Sequence, residues 1–342
     1  MPQLNSGYLC ASVGIATPAC FVFNTLMHFL KWIVLPCLLV LSTACFRPES
    51  DKLRIAINAW PGYEFLFLAQ DQGFFAEAGL DVDLLETTSL QDSLQLFVSK
   101  RCDAMACTII EAVLAGDQRS DPPLAVLYCD YSNGADVLLS REGISGFESL
   151  RGKRVGVERA SLGLVVLHRA LVRNGMGFED VEIVFVDQIS MADRFGADLD
   201  AVVSYPPVST GILRDNSVNI LFSSAEIPYE ILDMVVVSQS YEAENPEVMS
   251  RLQAVWKRSL DYWKEQPAAA NAVMAKRLGI SVEEIGLAYE EMVIIEPVDS
   301  LDEAARDKLR QSAATADGAL RTLGLMRNPP RHEAIIRFEP PE

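Results

Sequence analysis

Histidine is scarce. The chain of 342 residues holds three, and only His168 and His332 lie beyond the first 44 positions. No Cys/His pairing has metal-ligand spacing, no nucleophile has a base beside it, and there is no P-loop or Gly-rich dinucleotide turn, so the sequence offers no motif for metal, nucleophilic or phosphate-cradling chemistry. Basic residues are also short, 29 against 47 acidic, for a net charge of −18. Residues 1–44 contribute only Lys31 to that balance, so the remainder stands at −19. A surface of this sign cannot neutralise phosphates, which argues against nucleic acid as a partner; it serves solubility outside the cytoplasm. Of seven cysteines, Cys10, Cys20 and Cys37 precede Cys45, and Cys102, Cys107 and Cys129 remain. That odd remainder gives no disulfide framework, and the three read as small buried apolar residues. Neither a cofactor nor a metal site is expected.

The N-terminal apolar run, Trp32 to Leu41, is ten residues long and broken only by Pro36. It is too short to cross a bilayer and has the length of a signal-peptide core. Its exit, Leu41-Ser42-Thr43-Ala44-Cys45, resembles the bacterial lipoprotein signal, in which the Cys becomes the lipidated N-terminus. The large apolar residue usual three places before that Cys is here Ser42, with Leu41 one place further out. Met27 to Cys45 forms a complete short signal, which predicts Met27 as the start and residues 1–26 as an upstream artefact; a longer signal is the rival reading. Residues 1–44 are thus expected to be a leader, Cys45 a lipidation site and 45–52 a tether.

The folded part begins at Leu53. Leu53, Ile55 and Ile57 alternate with Arg54, Ala56 and Asn58, a strand signal. Trp60-Pro61-Gly62 is a turn, and Tyr63 to Phe75 a buried helix. Leu80–Leu85, Asp103–Ala106 and Leu124–Tyr128 read as further strands, with helices at Leu90–Lys100, capped by Thr87-Thr88-Ser89, and at Ile109–Ala115, opened by Thr108. This alternation predicts an α/β fold with mostly parallel sheets. Asp130 to Asp136 breaks it with turn residues. It resumes with strands at Val137–Leu139, Arg154–Val157, Val181–Val186, Asp200–Ser204, Asn219–Phe222 and Met234–Val237, and with helices opened by Ser161 and by Tyr205-Pro206-Pro207. From Pro246 only helices are expected: Glu247–Lys264, Pro267–Leu278, one opened by the capping box Ser281-Val282-Glu283-Glu284, and Leu301–Leu323. The tail after Asn328 reads as disordered or loosely docked.

The segments WPGYEFLFLAQDQGFFAEAGLDVDL, SLQDSLQLFVSKRCDAMACT, LRGKRVGVE with SLG, and DAVVSYPP, in that order, resemble the solute-binding proteins of ABC importers in the nitrate, sulfonate and thiamine-pyrimidine group. DYSNGAD and SSAEIPYEILDMVVV resemble that family's two inter-lobe crossings. The resemblance spans about residues 53–325. It implies two Rossmann-like lobes of the type II periplasmic-binding-protein kind: residues 53–134 plus 234–328 as lobe one, with the helical C-terminal part packed on it, 135–233 as lobe two, and 329–342 as a tail. It also implies ligand capture by hinge closure and docking of the closed form on an ABC permease.

Helix starts at strand ends would line the cleft: Trp60, Tyr63, Ser89 and Thr108 on one wall, Ser161 and Tyr205 on the other. Trp60, Tyr63 and Tyr205 either hold a planar body or pack the lobe interiors. Ser132, Asn133 and Asp136 either touch ligand or form the hinge turn. Glu158 is the acidic candidate, whereas Glu111 complements a helix dipole. The acidic bias favours a ligand with N–H donors or positive charge, such as an amine or aminopyrimidine. The position after the second-lobe aromatic, acidic in many relatives, holds Pro206. A non-catalytic, lipid-anchored transport receptor is the leading expectation. A receptor docking on a sensor kinase or cyclase is the alternative. A pyrimidine-precursor enzyme of the same fold is a third reading, lacking clustered His and Cys.

Overall fold

The computed structural model of the chain describes residues 52–159, 162–215, 217–295, 297 and 301–338. The leader, Cys45 and Ser161 lie outside the described residues.

The first sheet contains β1 (Leu53–Asn58), β2 (Val82–Thr87), β3 (Ala104–Thr108), β4 (Pro123–Ser132), β10 (Leu232–Ser238) and β11 (Met292–Ile294), in the order β11-β4-β10-β3-β1-β2. The second contains β5 (Val137–Arg141), β6 (Arg154–Val157), β7 (Glu182–Phe185), β8 (Ala201–Ser204) and β9 (Val218–Ser223), in the order β7-β6-β8-β5-β9. The architecture is the expected α/β one, but the sheets are mixed rather than mostly parallel. Strand β1 pairs in parallel with β2 and β3, and β6 with β7 and β8. Strand β10 runs antiparallel to β3 and β4, and β5 antiparallel to β8 and β9. The reason is connectivity. Strands β5 and β10 are each the one the chain enters directly after leaving the other sheet, so each starts at the cleft edge where its neighbours end.

Local chemistry explains the first unit. The buried run Tyr63 to Leu68 follows Pro61, whose fixed φ suits the first turn of a helix. The expected single helix is instead a 3-10 turn at Pro61–Tyr63 and helices at Glu64–Asp71 and Phe74–Glu77. Gly73, at φ 76°, makes the break, a conformation glycine adopts without a Cβ penalty. Ser89 caps Leu90–Val98, accepting from the Asp92 N–H at 3.1 Å.

Three further expectations change. Asp130 to Ser132 is not a turn: β4 carries on through Ser132, all ten of its residues buried. Strand β11 was masked in the sequence by its shortness, and it closes the sheet against Asp130–Ser132. The segment beyond Asn328 is docked as far as Phe338: Ile335 and Ile336 are buried, the Ala125 N–H donates to the Ile335 carbonyl at 2.8 Å, and Tyr128 stacks on Phe338. Its two isoleucines sit in a run otherwise rich in proline and charge, which hid their apolar role.

The C-terminal helices pack on the first sheet's side of the molecule. The Pro246–Glu265 helix buries Leu252, Val255, Trp256 and Leu260, and Trp256 and Trp263 meet Phe65 edge-on at 5.5 and 5.4 Å. No helix among the described residues is long and apolar enough to cross a membrane.

Candidate functional site

The strand ends of both sheets meet in one buried place. A cavity there is lined by Asn58, Trp60, Tyr63, Leu90, Thr108, Asp136, Leu162, Tyr205 and Asp233. Asn58 and Thr108 end β1 and β3, Tyr205 follows β8, and Asp136 and Asp233 stand at the starts of β5 and β10. The cavity is about 10 Å³, room for roughly one water-sized group, so the two sides are closed on each other.

Specific contacts hold that closure. The Leu162 N–H donates to Glu111 Oε1 at 2.9 Å. Glu111 Oε2 accepts from Thr108 Oγ1 at 2.5 Å and from the Thr108 N–H at 3.2 Å, completing a capping box. Glu111 therefore does more than complement a dipole: it joins the helix starts of the two sides. Trp60 and Tyr205 meet edge-to-face at 5.9 Å, and Asn58 Nδ2 donates to the Tyr205 hydroxyl at 3.4 Å. Tyr205 donates in turn to Glu158 Oε2 at 3.1 Å. Pro206–Pro207, next in the chain, is a cis peptide.

Electrostatically the site is one-sided. Glu111, Asp130, Asp136, Glu158 and Asp233 are all buried, and no Lys, Arg or His is among the described residues lining the cavity. Asp130 and Asp233 are cross-strand partners on β4 and β10. Trp60 Nε1 donates to Asp130 at 3.2 Å and the Tyr63 hydroxyl to Asp233 Oδ1 at 2.5 Å. Burial is the largest influence on each carboxyl, because a charge loses its hydration there. It pushes Asp130 up to about 8, against the Trp60 hydrogen bond. It takes Asp136 to about 7 and Glu158 to about 8, with Glu111 adding to both. Asp233 is raised well above the carboxylate range by burial and by Asp130. One oxygen each of Asp130, Asp136, Glu158 and Asp233, with Asn58 Oδ1, has no hydrogen-bond partner among the described residues. Buried polar atoms are ordinarily paired, so this concentration marks a place built to receive donors.

Of the residues expected in the cleft, Trp60, Tyr63, Thr108, Asp136 and Tyr205 line the cavity. Glu158 stands one contact further out, bonded to Tyr205. Ser89 is committed to its helix cap. Ser132 bonds Ser224 at 2.7 Å and accepts from the Asp136 N–H at 3.3 Å, so it ties the end of β4 to the start of β5 and to the segment after β9. Asn133 is exposed, and its N–H donates to the Glu291 carbonyl at 2.8 Å; the structure does not bring it to the cavity. Asn58, Asp130 and Asp233 were missed. Asn58 read as the polar side of an alternating strand, Asp130 fell in a stretch read as turn residues, and Asp233 lay in the second crossing, just ahead of the strand expected at Met234–Val237. The available signal was a lone acid beside an apolar strand run, as in Leu127–Asp130 and Asp233–Val237.

No cysteine or histidine is among the described residues lining the cavity. Cys102, Cys107 and Cys129 are buried free thiols, and burial pushes Cys102 up to about 11. His168 meets Phe178 edge-on and His332 faces Asp317 at 3.7 Å.

Residues 60–270 match the family described as NMT1/THI5 like. A binding protein of Brucella abortus (strain 2308) is 26% identical over 152 residues, covering 43% of this chain and 47% of that protein, so the chain spans about half the length of such relatives. The 4-amino-5-hydroxymethyl-2-methylpyrimidine phosphate synthase of Aspergillus parasiticus is 26% identical over 244 residues, covering 65% of this chain and 69% of the synthase. The periplasmic aliphatic sulphonate binding protein SsuA of Escherichia coli superposes with a TM-score of 0.66 at 17% identity, covering 84% of this chain and 96% of that one. The chain has the periplasmic-binding-protein fold and belongs to the NMT1/THI5-like family.

Proposed function

We propose that the chain is an extracytoplasmic solute-binding protein, anchored by lipid on Cys45, that captures a small N–H-rich or cationic molecule between its lobes and delivers it to an ABC-type importer. Residues 53–134 with 234–328 form lobe one in this reading, and 135–233 lobe two. One observation carries the ligand class: among the described residues, buried carboxyls with unpartnered oxygens surround the cavity and no cation lines it. A sulfonate or nitrate placed there would find no cation among the described residues and would bond only to carboxyls kept protonated, whereas N–H donors meet the unpartnered oxygens directly.

The synthase relatives favour weighing catalysis as a second reading. No histidine or thiol is among the described residues lining the cavity, which supports a binding role over a reacting pair. A sensor receptor would use the same cleft with a kinase or cyclase as the docking partner.

The test is a thermal-shift screen of amines, aminopyrimidines, alkanesulfonates and nitrate, since a ligand of the folded state raises the midpoint. Stabilisation by amines or aminopyrimidines is expected. Stabilisation by sulfonates or nitrate alone would overturn the ligand class, and turnover of a bound pyrimidine precursor would overturn the non-catalytic reading. Co-purification with a permease separates importer from sensor.

A further inference from the structure

The cavity offers acceptors and keeps its donors for itself. Asn58 directs Nδ2 to the Ala59 carbonyl and the Tyr205 hydroxyl, both at 3.4 Å, which leaves Oδ1 unpartnered among the described residues. Asp233 gives Oδ1 to Tyr63 and keeps Oδ2 free, and Asp136 keeps Oδ2 free. All three side chains line the cavity, and each is 3% exposed or less. The neighbouring donors are committed: Thr108 to Glu111, Tyr63 to Asp233, Tyr205 to Glu158 and Trp60 Nε1 to Asp130. Leu90 and Leu162 complete the wall.

We infer that this cavity is the subsite for a primary ammonium head group, whose three N–H donors meet Asn58 Oδ1, Asp136 Oδ2 and Asp233 Oδ2. The inference rests on the receptor reading and narrows its ligand. An ammonium head has three donors and no acceptor, and it is about the size of the water that a cavity of about 10 Å³ admits. A quaternary ammonium has no N–H and is larger. A guanidinium spreads its donors in a plane over three nitrogens, so no single atom of it can meet all three acceptors. Water supplies only two donors and no charge. Burial makes Asp136 and Asp233 reluctant to ionise, and an adjacent cation reverses that preference. Binding of the ammonium therefore expels protons from the carboxyls.

The test uses purified protein with ammonium, methylammonium, tetramethylammonium, guanidinium and potassium chlorides in thermal shift, and methylammonium in calorimetry across buffers of different ionisation enthalpy. Ammonium and methylammonium are expected to raise the midpoint where the other three do not. The methylammonium heat is expected to vary with the buffer, reporting proton release. The isosteric Asp233→Asn is expected to weaken methylammonium about tenfold or more, as loss of a hydrogen bond to a charged group does. The wild-type salt series needs no variant and stands if Asp233→Asn fails to fold. Equal stabilisation by tetramethylammonium, no stabilisation by methylammonium, or aminopyrimidine binding that methylammonium does not compete with would remove the subsite and leave the receptor reading intact. Stabilisation by sulfonate or nitrate alone would remove both.

Discussion

Gly62 shows how a single residue admits a carboxyl to the cleft. A Cβ at this position would stand 1.8 Å from Asp130 Oδ2 and 2.6 Å from Trp60 Nε1, so any side chain must displace the pair that carries the Trp60–Asp130 hydrogen bond. Gly62→Ala is expected to cost about 1–3 kcal/mol by overpacking, read as a lower urea midpoint, together with weaker ligand binding; an unchanged midpoint would refute the crowding argument. Glu64 illustrates a second kind of buried acid. It is fully buried and paired with Arg277, whose Nε donates at 2.6 Å and whose guanidinium lies 3.4 Å over the Phe67 ring. Burial pushes its carboxyl up to about 7 although the guanidinium pulls the other way. Below that pH the folded protein holds Glu64 protonated, and above it Arg277 is needed to balance the charge. Arg277→Met is therefore expected to cost little at pH 5 and to approach ~3 kcal/mol at pH 8 to 9, as breaking a buried pair does. Denaturant melts at both pH values check this, and a pH-independent loss would argue against it.

At the scale of elements, helix starts matter in two distinct ways. Ser281 caps Val282–Glu290 by accepting from the Glu284 N–H at 3.1 Å, with Glu284 reaching back to its N–H. This box lies outside the cavity lining, so Ser281→Ala is expected to cost about 1 kcal/mol and to leave ligand affinity unchanged by calorimetry. Thr108 and Glu111 form the same motif, but there the acid also accepts from Leu162 on the other side of the cleft. One sequence pattern is thus a cap in one place and a latch in the other, and only position separates them. The docked C-terminal segment is a further element with a measurable role. Removing residues 329–342 exposes the faces that cover Ile335 and Ile336 and is expected to cost about 1.5–3 kcal/mol for each isoleucine; a truncated protein with wild-type stability would show that the segment does not hold the sheet edge.

For the molecule as a whole, the closed cleft gathers like charges. Asp130, Asp136 and Glu158 ionise near 4 when unfolded and are raised to about 8, 7 and 8 in the closed form. A raised folded value means that the folded state binds more protons than the unfolded one, so this contribution is fully present below about pH 4 and is lost as pH rises towards 8. The unliganded midpoint is expected to fall between pH 5 and pH 8, the reverse of ordinary carboxylate behaviour, and the radius of gyration from solution scattering to grow as the lobes part. A cationic ligand should flatten both trends. A midpoint that rises over this range would show that the acids are neutralised in some other way.

The α/β class, the positions of most elements and the aromatic side of the site were legible in the sequence, because alternation, capping residues and turn chemistry are local. Trp60, Tyr63, Thr108 and Tyr205 could be placed at strand ends from that pattern alone. What only the tertiary structure decided was the company each residue keeps. Asp130 and Asp233 stand a hundred positions apart and became neighbours through antiparallel pairing of β4 with β10, a consequence of the second crossing. Asn133, one residue beyond a buried strand, faces solvent, its N–H held by the Glu291 carbonyl. Local physics determines where a strand ends; the crossings between lobes determine which strand ends meet, and the chemistry of this cleft belongs to that meeting.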